Sequence, residues 1–135
     1  MRADGIGDQT IVDEAKKVAA DAADAPYTWG GHTTAGFDCS GFVIYVLKRA
    51  YPDKNFTFIT AGQIFGDSRF EAVTTPQPGD LICFRAGHGT PHDHVGIVLD
   101  AGRWIGAQSS TGVKAVAFTN PYWSSKRHFF LRLKP

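Results

Sequence analysis

Asp38-Cys39-Ser40-Gly41-Phe42-Val43-Ile44-Tyr45-Val46-Leu47-Lys48-Arg49-Ala50 is the stretch on which the reading of the fold turns. Phe42, Val43, Val46, Leu47 and Ala50 recur at spacings of three and four, and Lys48 and Arg49 close the last turn, where the helix dipole favours cations. The pattern predicts a buried helix with Asp38 as its cap. Upstream, Asp24 to Phe37 carries Gly30, Gly31 and Gly36 and reads as an irregular loop, although Tyr27, Trp29 and Phe37 require it to pack against something. Further back, Ile11, Ala15, Val18 and Ala22 predict an amphipathic helix from about Gln9 to Ala23, with Asp13 and Glu14 in its first turn. Downstream, Thr60 and Gln63 stand at capping-box spacing and predict a short helix over Ala61 to Phe65. From Pro76 the period changes. Leu81 to Phe84, Val95 to Leu99, Arg103 to Gln108, Val113 to Phe118 and Phe129 to Leu133 have the length and composition of strands, with turns at Pro78-Gly79-Asp80, Asp100-Ala101-Gly102 and Ser110-Thr111-Gly112. Helices followed by strands predict an α+β layer fold, N-terminal helices on one face of an antiparallel sheet of about five strands.

With 135 residues, 43% of them hydrophobic and 13% aromatic, the chain has the material for one core, and a single domain over residues 1–135 is expected. Fourteen Lys and Arg against 13 Asp and Glu leave a formal charge of only +1, and no basic stripe that would offset a polyphosphate, so nucleic acid is excluded as a partner. Cys39 and Cys83 are too few for a disulfide framework. The apolar run from Val18 to Ala25 is broken by Asp21 and Asp24, so it reads as neither a membrane span nor a signal-peptide core. The expectation is a monomer made in the cytoplasm without a signal peptide, with no membrane partner.

Cys39 follows the cap of a helix, where unpaired N–H groups and the dipole stabilise a thiolate and draw a thiol below its usual pKa of roughly 8.5. Position makes it a candidate nucleophile, and a buried cysteine acting as a small hydrophobe is the other reading. Cys83, inside Leu81-Ile82-Cys83-Phe84, reads as packing. A thiolate needs an imidazole to share its proton. His94 directly precedes the strand Val95-Gly96-Ile97-Val98 and is the best-positioned base, whereas His32, His88 and His92 lie in loops and His128 adjoins the last strand. His88, His92 and His94 also raise a zinc hydrolase, since residues two apart point the same way along an extended chain. No cofactor and no metal are expected under the thiol reading.

Tyr27-Thr28-Trp29-Gly30-Gly31, Phe37-Asp38-Cys39-Ser40-Gly41-Phe42-Val43, Pro78-Gly79-Asp80-Leu81, His94-Val95-Gly96-Ile97 and Pro121-Tyr122-Trp123 together resemble, in order, the motifs of the NlpC family of papain-like cell-wall cysteine peptidases. The resemblance runs from about Tyr27 to Trp123, within a motif-bearing core of residues 24–135 that follows the helix at about 9–23. It implies a papain-like fold in which Cys39 is the nucleophile and His94 the base. It also implies that Tyr27 supplies a hydroxyl to the oxyanion and that Asp38 and Ser40 line the substrate groove, with Trp29, Phe37 and the loop from Arg85 to Asp93 as further walls. Ser40 can offer its backbone N–H to a bound peptide.

The chain departs from the family in one place. Where members carry a third polar residue, most often histidine, on the strand after the base, this sequence reads Trp104-Ile105-Gly106-Ala107-Gln108. Gln108 shares a face with Gly106, and the bare glycine leaves room for the longer amide to reach the imidazole and accept from it. A glutamine that only caps the next turn is the other reading, and Asn120 is the reserve candidate. The resemblance implies hydrolysis of amide bonds in the peptide stems or cross-links of bacterial peptidoglycan. With no signal peptide expected, delivery to the wall would come from a phage lysis system, a contact-dependent secretion apparatus or fusion to a larger carrier, with an inhibitor (immunity) protein as partner if the chain is an antibacterial effector. A non-catalytic wall-binding module of the same fold and an acyltransferase remain as alternatives.

Overall fold

The computed structural model describes residues 7–23, 25–87, 90 and 92–135. Helix α1 (Gln9–Asp21) starts at Asp8, whose Oδ1 accepts from the Ile11 N–H at 3.1 Å. The cap therefore lies earlier than the acidic pair suggests, and Asp13 and Glu14 fall beyond the first turn. Two short strands, β1 (His32–Thr33) and β2 (Gly36–Phe37), form a hairpin inside the stretch expected to be irregular. Helix α2 (Cys39–Ala50) begins at its predicted cap, with Phe42, Val43, Ile44, Val46 and Leu47 buried and Lys48 and Arg49 in its last turn. Helix α3 (Ala61–Phe65) carries the full capping box between Thr60 and Gln63.

Strands β3 (Phe70–Val73), β4 (Leu81–Phe84), β5 (His94–Val98), β6 (Arg103–Gln108), β7 (Gly112–Ala117) and β8 (Phe129–Leu133) make one antiparallel sheet in the order β3-β8-β4-β5-β6-β7. It has one strand more than expected, because Phe70-Glu71-Ala72-Val73 is too short and too polar to stand out until β8 pairs with it. On one face Leu81, Cys83, Val95, Ile97, Ile105 and Ala107 meet the apolar sides of α1 and α2. The opposite face is also dry: Ile82, Phe84, Val98, Trp104 and Val116 form a second cluster, covered in part by Trp123 from helix α4 (Pro121–Ser124). Helices thus lie on both faces, although α4 is a single turn. Burying both faces explains why β4 and β5 read as unbroken apolar runs rather than alternating ones.

The turn ahead of β4 is tied to the last strand by charge. Asp80, almost fully buried, accepts from Arg132 Nε and from a terminal guanidinium nitrogen, both at 2.8 Å, and from the Gln77 N–H at 2.7 Å. Gly79 precedes it at φ +90°, where a Cβ would also lie 2.6 Å from the Asp8 carbonyl oxygen. Replacing Asp80 by Ala removes the buried carboxylate that pairs with the part-buried Arg132 and should cost about 3 kcal/mol, read as a lower midpoint in urea unfolding with an unchanged slope.

Candidate active site

The start of α2 is built by one carboxylate. Asp38 Oδ1 accepts from the Gly41 N–H at 2.6 Å and from the Ser40 hydroxyl at 3.2 Å, while Oδ2 accepts from the Gly30 N–H at 3.1 Å. This caps the helix and fastens the preceding loop to it, which sets Tyr27 and Trp29 beside the helix tip. Cys39 is the first residue of α2, and its Sγ donates to the Asp93 carbonyl oxygen at 3.8 Å, one residue ahead of His94 at the head of β5. Tyr27, Trp29, Asp38, Cys39, Ser40, His94 and Gln108 all line one open cavity of about 1210 Å³. Its rim carries two exposed aromatics, Trp29, whose ring lies 5.7 Å from that of His92, and Tyr122.

His94 is buried, and among the described residues its Nε2 has no hydrogen-bond partner within bonding distance. The Gln108 Oε1 is buried and unpartnered as well. The Gln108 amide nitrogen donates to the Lys114 carbonyl oxygen at 3.3 Å and to Thr111 Oγ1 at 3.4 Å. Because a carbonyl only accepts, the first of these bonds decides which end of the amide turns away and leaves Oε1 in front of Gly106. A Cβ at position 106 would sit 2.8 Å from that oxygen. The space opened by the glycine is filled by the glutamine amide, which acts on His94 in the direction that favours its protonated form. A ring nitrogen able to donate and an amide oxygen able to accept are thus left without other partners on neighbouring side chains.

Burial dominates the electrostatics. The Cys39 thiol is pushed up to about 11, chiefly by desolvation and further by the Asp38 carboxylate, against the backbone N–H groups of Val95, Ser40 and Cys39. The lowering expected from the helix tip is therefore present but outweighed. His94 is pushed down to about 4 by burial, which the Gln108 amide opposes. Tyr27 rises to about 12 through burial and the nearby Cys39 and Asp38, while the Cys39 N–H pulls it down and so lies beside the phenol oxygen. Both shifts favour the neutral form of their group. A proton passed from Cys39 to His94 creates two charges at once, and their mutual attraction offsets part of what each would cost alone.

Several expectations fall elsewhere. Phe37 is core, edge-on to Phe42 and Tyr45, and forms no groove wall. Arg85 lies over Phe65 and Phe129, away from the cavity, whereas Thr90, His92 and Asp93 line it. Asn120 is occupied as the cap of α4, its Oδ1 accepting from the Tyr122 and Trp123 N–H groups, so it does not orient His94. His88 lies outside the described residues, and among those described no three His, Cys, Asp or Glu side chains gather as metal ligands. Among the described residues no helix is long and apolar enough to cross a membrane. The sequence marks Trp123 only as part of a motif and Asp93 only as part of a groove loop; in the structure the Trp123 ring stacks on His94 at 4.7 Å, and Asp93 Oδ1 holds the Ala86 N–H at 2.7 Å. The Asn120-Pro121 pair, a cap followed by proline at the first helical position, was the available signal for α4.

The model of the NlpC/P60 family matches residues 24–132. The chain is 34% identical over 116 residues to the probable peptidoglycan endopeptidase LytE of Bacillus subtilis, covering 86% of this chain and 31% of that protein. It is 35% identical over 120 residues to the gamma-DL-glutamyl hydrolase of Bacillus subtilis, covering 88% and 28%. The chain therefore spans about a third or less of the length of these two relatives. Among solved structures, the NlpC/p60 domain of the peptidoglycan hydrolase SagA superposes with a TM-score of 0.66 at 31% identity, covering 93% of this chain and 97% of that one.

A thiol resting near 11 makes alkylation of Cys39 by iodoacetamide rise with pH throughout the neutral and alkaline range, close to tenfold per unit; a rate already level from pH 5 upward would mean a preformed ion pair. Cys83, sealed in the core, reacts only on unfolding. For His94, the folded state stays neutral down to about pH 4 while the unfolded chain takes a proton near pH 6.5, so the unfolded state binds more protons in between. Stability should fall on acidification across that window by up to roughly 3 kcal/mol, and His94→Gln should remove this part of the slope in urea titrations.

Proposed function

The chain belongs to the NlpC/P60 family, and from that premise we propose that it is a cysteine peptidase that hydrolyses amide bonds in the peptide stems or cross-links of bacterial peptidoglycan. The observation that carries the reading is the meeting of a helix-tip thiol, a strand-borne imidazole and an acceptor amide in one open cavity. Cys39 Sγ attacks the substrate carbonyl carbon as its proton passes to His94. The oxyanion forms beside the Cys39 backbone N–H, one of the first N–H groups of α2 that the helix cannot satisfy itself, and the Tyr27 hydroxyl. Gln108 accepts from the imidazole and fixes its tautomer. The His94 imidazolium then protonates the leaving amine as the C–N bond breaks, leaving a thioester. Water attacks the thioester as His94 takes its proton, the C–S bond breaks to release the carboxylic acid, and His94 returns the proton to Cys39 Sγ.

The scissile bond under this reading joins a D-glutamyl or other D-centre to a diamino acid, in line with the relative named a gamma-DL-glutamyl hydrolase. Trp29 and Tyr122 on the rim and Asp38 and Ser40 at the floor supply the walls against which such a peptide lies. The whole chain works as one catalytic unit and as a monomer, with no metal. If it is delivered as an antibacterial effector, an inhibitor protein would guard the producing cell by covering this cavity.

Cys39→Ala should abolish release of peptide fragments from purified sacculi, followed by mass spectrometry, while leaving thermal unfolding unchanged; continued digestion refutes the assignment. Gln108→Ala should lower turnover by about 10- to 100-fold, since it removes an orienting acceptor and not the nucleophile. Gly106→Ala should act the same way, because its Cβ displaces the far end of the Gln108 side chain, with a further loss of stability from its 3.3 Å approach to the packed Trp104 ring.

A further inference from the structure

The Pro121-Tyr122-Trp123 motif has no task in the chemistry above, yet it delivers the ring closest to the base. The Trp123 indole lies over the imidazole of His94 with centroids 4.7 Å apart and planes within 23°. The indole is itself clamped: Trp104 meets it edge-on at 5.4 Å and 86°, Tyr122 at 5.0 Å and 87°, and Phe84 at 4.9 Å and 53°. Asn120 fixes the turn that bears it by accepting from the Trp123 N–H. Placement of this kind exceeds what covering the sheet requires, since Phe118 and Phe130 also pack against that cluster.

The surroundings of His94 explain what the ring can do. From α2 the cavity brings Cys39 and the Asp38 carboxylate, from the loop before β5 His92 and Asp93, from β7 Lys114, and from the first loop Tyr27. Asp38 is taken up by the helix cap and the Gly30 loop, and Asp93 by the Ala86 N–H. Among the described residues no carboxylate is hydrogen-bonded or ion-paired to His94, and the orienting group, Gln108, is neutral. Among the described residues the imidazolium formed during acyl transfer therefore has no hydrogen-bonded countercharge except the attacking thiolate and then the oxyanion. An indole face within about 6 Å attracts a cation through its quadrupole, and more strongly where water is excluded.

We propose that Trp123 is a positioning residue whose indole face supports the His94 imidazolium, doing the electrostatic work of a carboxylate that this site lacks. The inference rests on the acyl-transfer reading for its catalytic consequence, though not for its effect on the imidazole. The proton passes from Cys39 Sγ to the His94 ring, and the indole takes no part in bond making.

The test separates the two claims. In the Cys39→Ala chain, the ring C–H resonances of His94 are followed by NMR against pH. Trp123→Leu should move the midpoint down by about one pH unit, and Trp123→Phe by less. Fluorotryptophan in place of tryptophan throughout the chain drains the ring face without changing its shape, so the fold is kept, and it should move the midpoint in the same direction. With Cys39 present and a synthetic stem tripeptide of L-alanine, γ-linked D-glutamate and a diamino acid, Trp123→Leu should lower kcat about tenfold with KM within twofold, and Trp123→Phe should restore most of it. A midpoint that stays put or rises in the Leu and fluorotryptophan chains would overturn the proposal, because the indole would then only shield the base from water. Should the Cys39 chain cleave no peptide at all while the midpoint still falls, the acyl-transfer reading fails and the effect of the indole on His94 stands.

Discussion

The Asp38 carboxylate is the contact on which the site depends. It accepts from Gly41, Ser40 and Gly30, and so joins the first turn of α2 to the loop that carries Tyr27 and Trp29. Without it the helix could begin a residue earlier or later, and each residue of slip would turn Cys39 by about 100° around the helix axis, away from the head of β5. The glycines around it show how closely the parts meet. A Cβ at Gly41 would collide with the Gly31 carbonyl oxygen, and one at Gly36 with the Thr28 hydroxyl. The same carboxylate raises the thiol's pKa, so the group that sets the geometry works against the anion the geometry serves.

Burial acts on both members of the pair in the same sense, towards their neutral forms. Desolvation shifts Cys39 up and His94 down, opposite directions that both disfavour charge. A thiol in this state is a poor target for stray electrophiles, and the two charges arise together, when a carbonyl carbon is present to take the sulfur's electrons. Sealing both faces of the sheet makes this the natural outcome. A base at the start of a strand whose far side is packed with Phe84, Trp104 and Trp123 has little water from which to draw a proton.

Much of this was legible in the chain. Helix α2 and its cap, helix α3 with its capping box, and β4 to β8 follow from periodicity and turn residues because each element's own side chains create its pattern. What stayed hidden depends on a partner distant in sequence. Strand β3 is defined only by its pairing with β8, and the β1–β2 hairpin only by the loop folding back on itself. A loop aromatic next to a nucleophile resembles a groove wall in sequence, whereas the hairpin turns Phe37 inward onto Phe42. The direction of the thiol shift was misjudged for a related reason: a helix dipole can be read from sequence, but the burial that outweighs it cannot. Tyr27, Trp29, Asp38, Cys39, Ser40, His94 and Gln108 line the cavity, whereas Phe37 and Arg85, also expected as walls, do not; the relation of Gln108 to Gly106 is readable because alternation along one strand is a local property.

Gly106, Gln108 and Trp123 are best understood together. An imidazole at position 106 would need room that Gly96, Trp104 and the Gln108 amide now occupy, since a Cβ there already lies 3.3 Å from Trp104 and 3.4 Å from the Gly96 Cα. Gly96 in turn must lack a side chain, because its own Cβ would lie 2.5 Å from the Trp104 ring. The two glycines thus let Trp104 lie flat across the sheet, Trp104 braces Trp123 edge-on, and Trp123 covers His94. Once that aromatic stack occupies the face behind the base, the orienting group has to approach from further along β6, and a glutamine two residues on has the length to do it. The absence of a histidine at position 106 then reads as one consequence of a site that supports its base with an amide and an indole, and it does not by itself mark a site that has decayed.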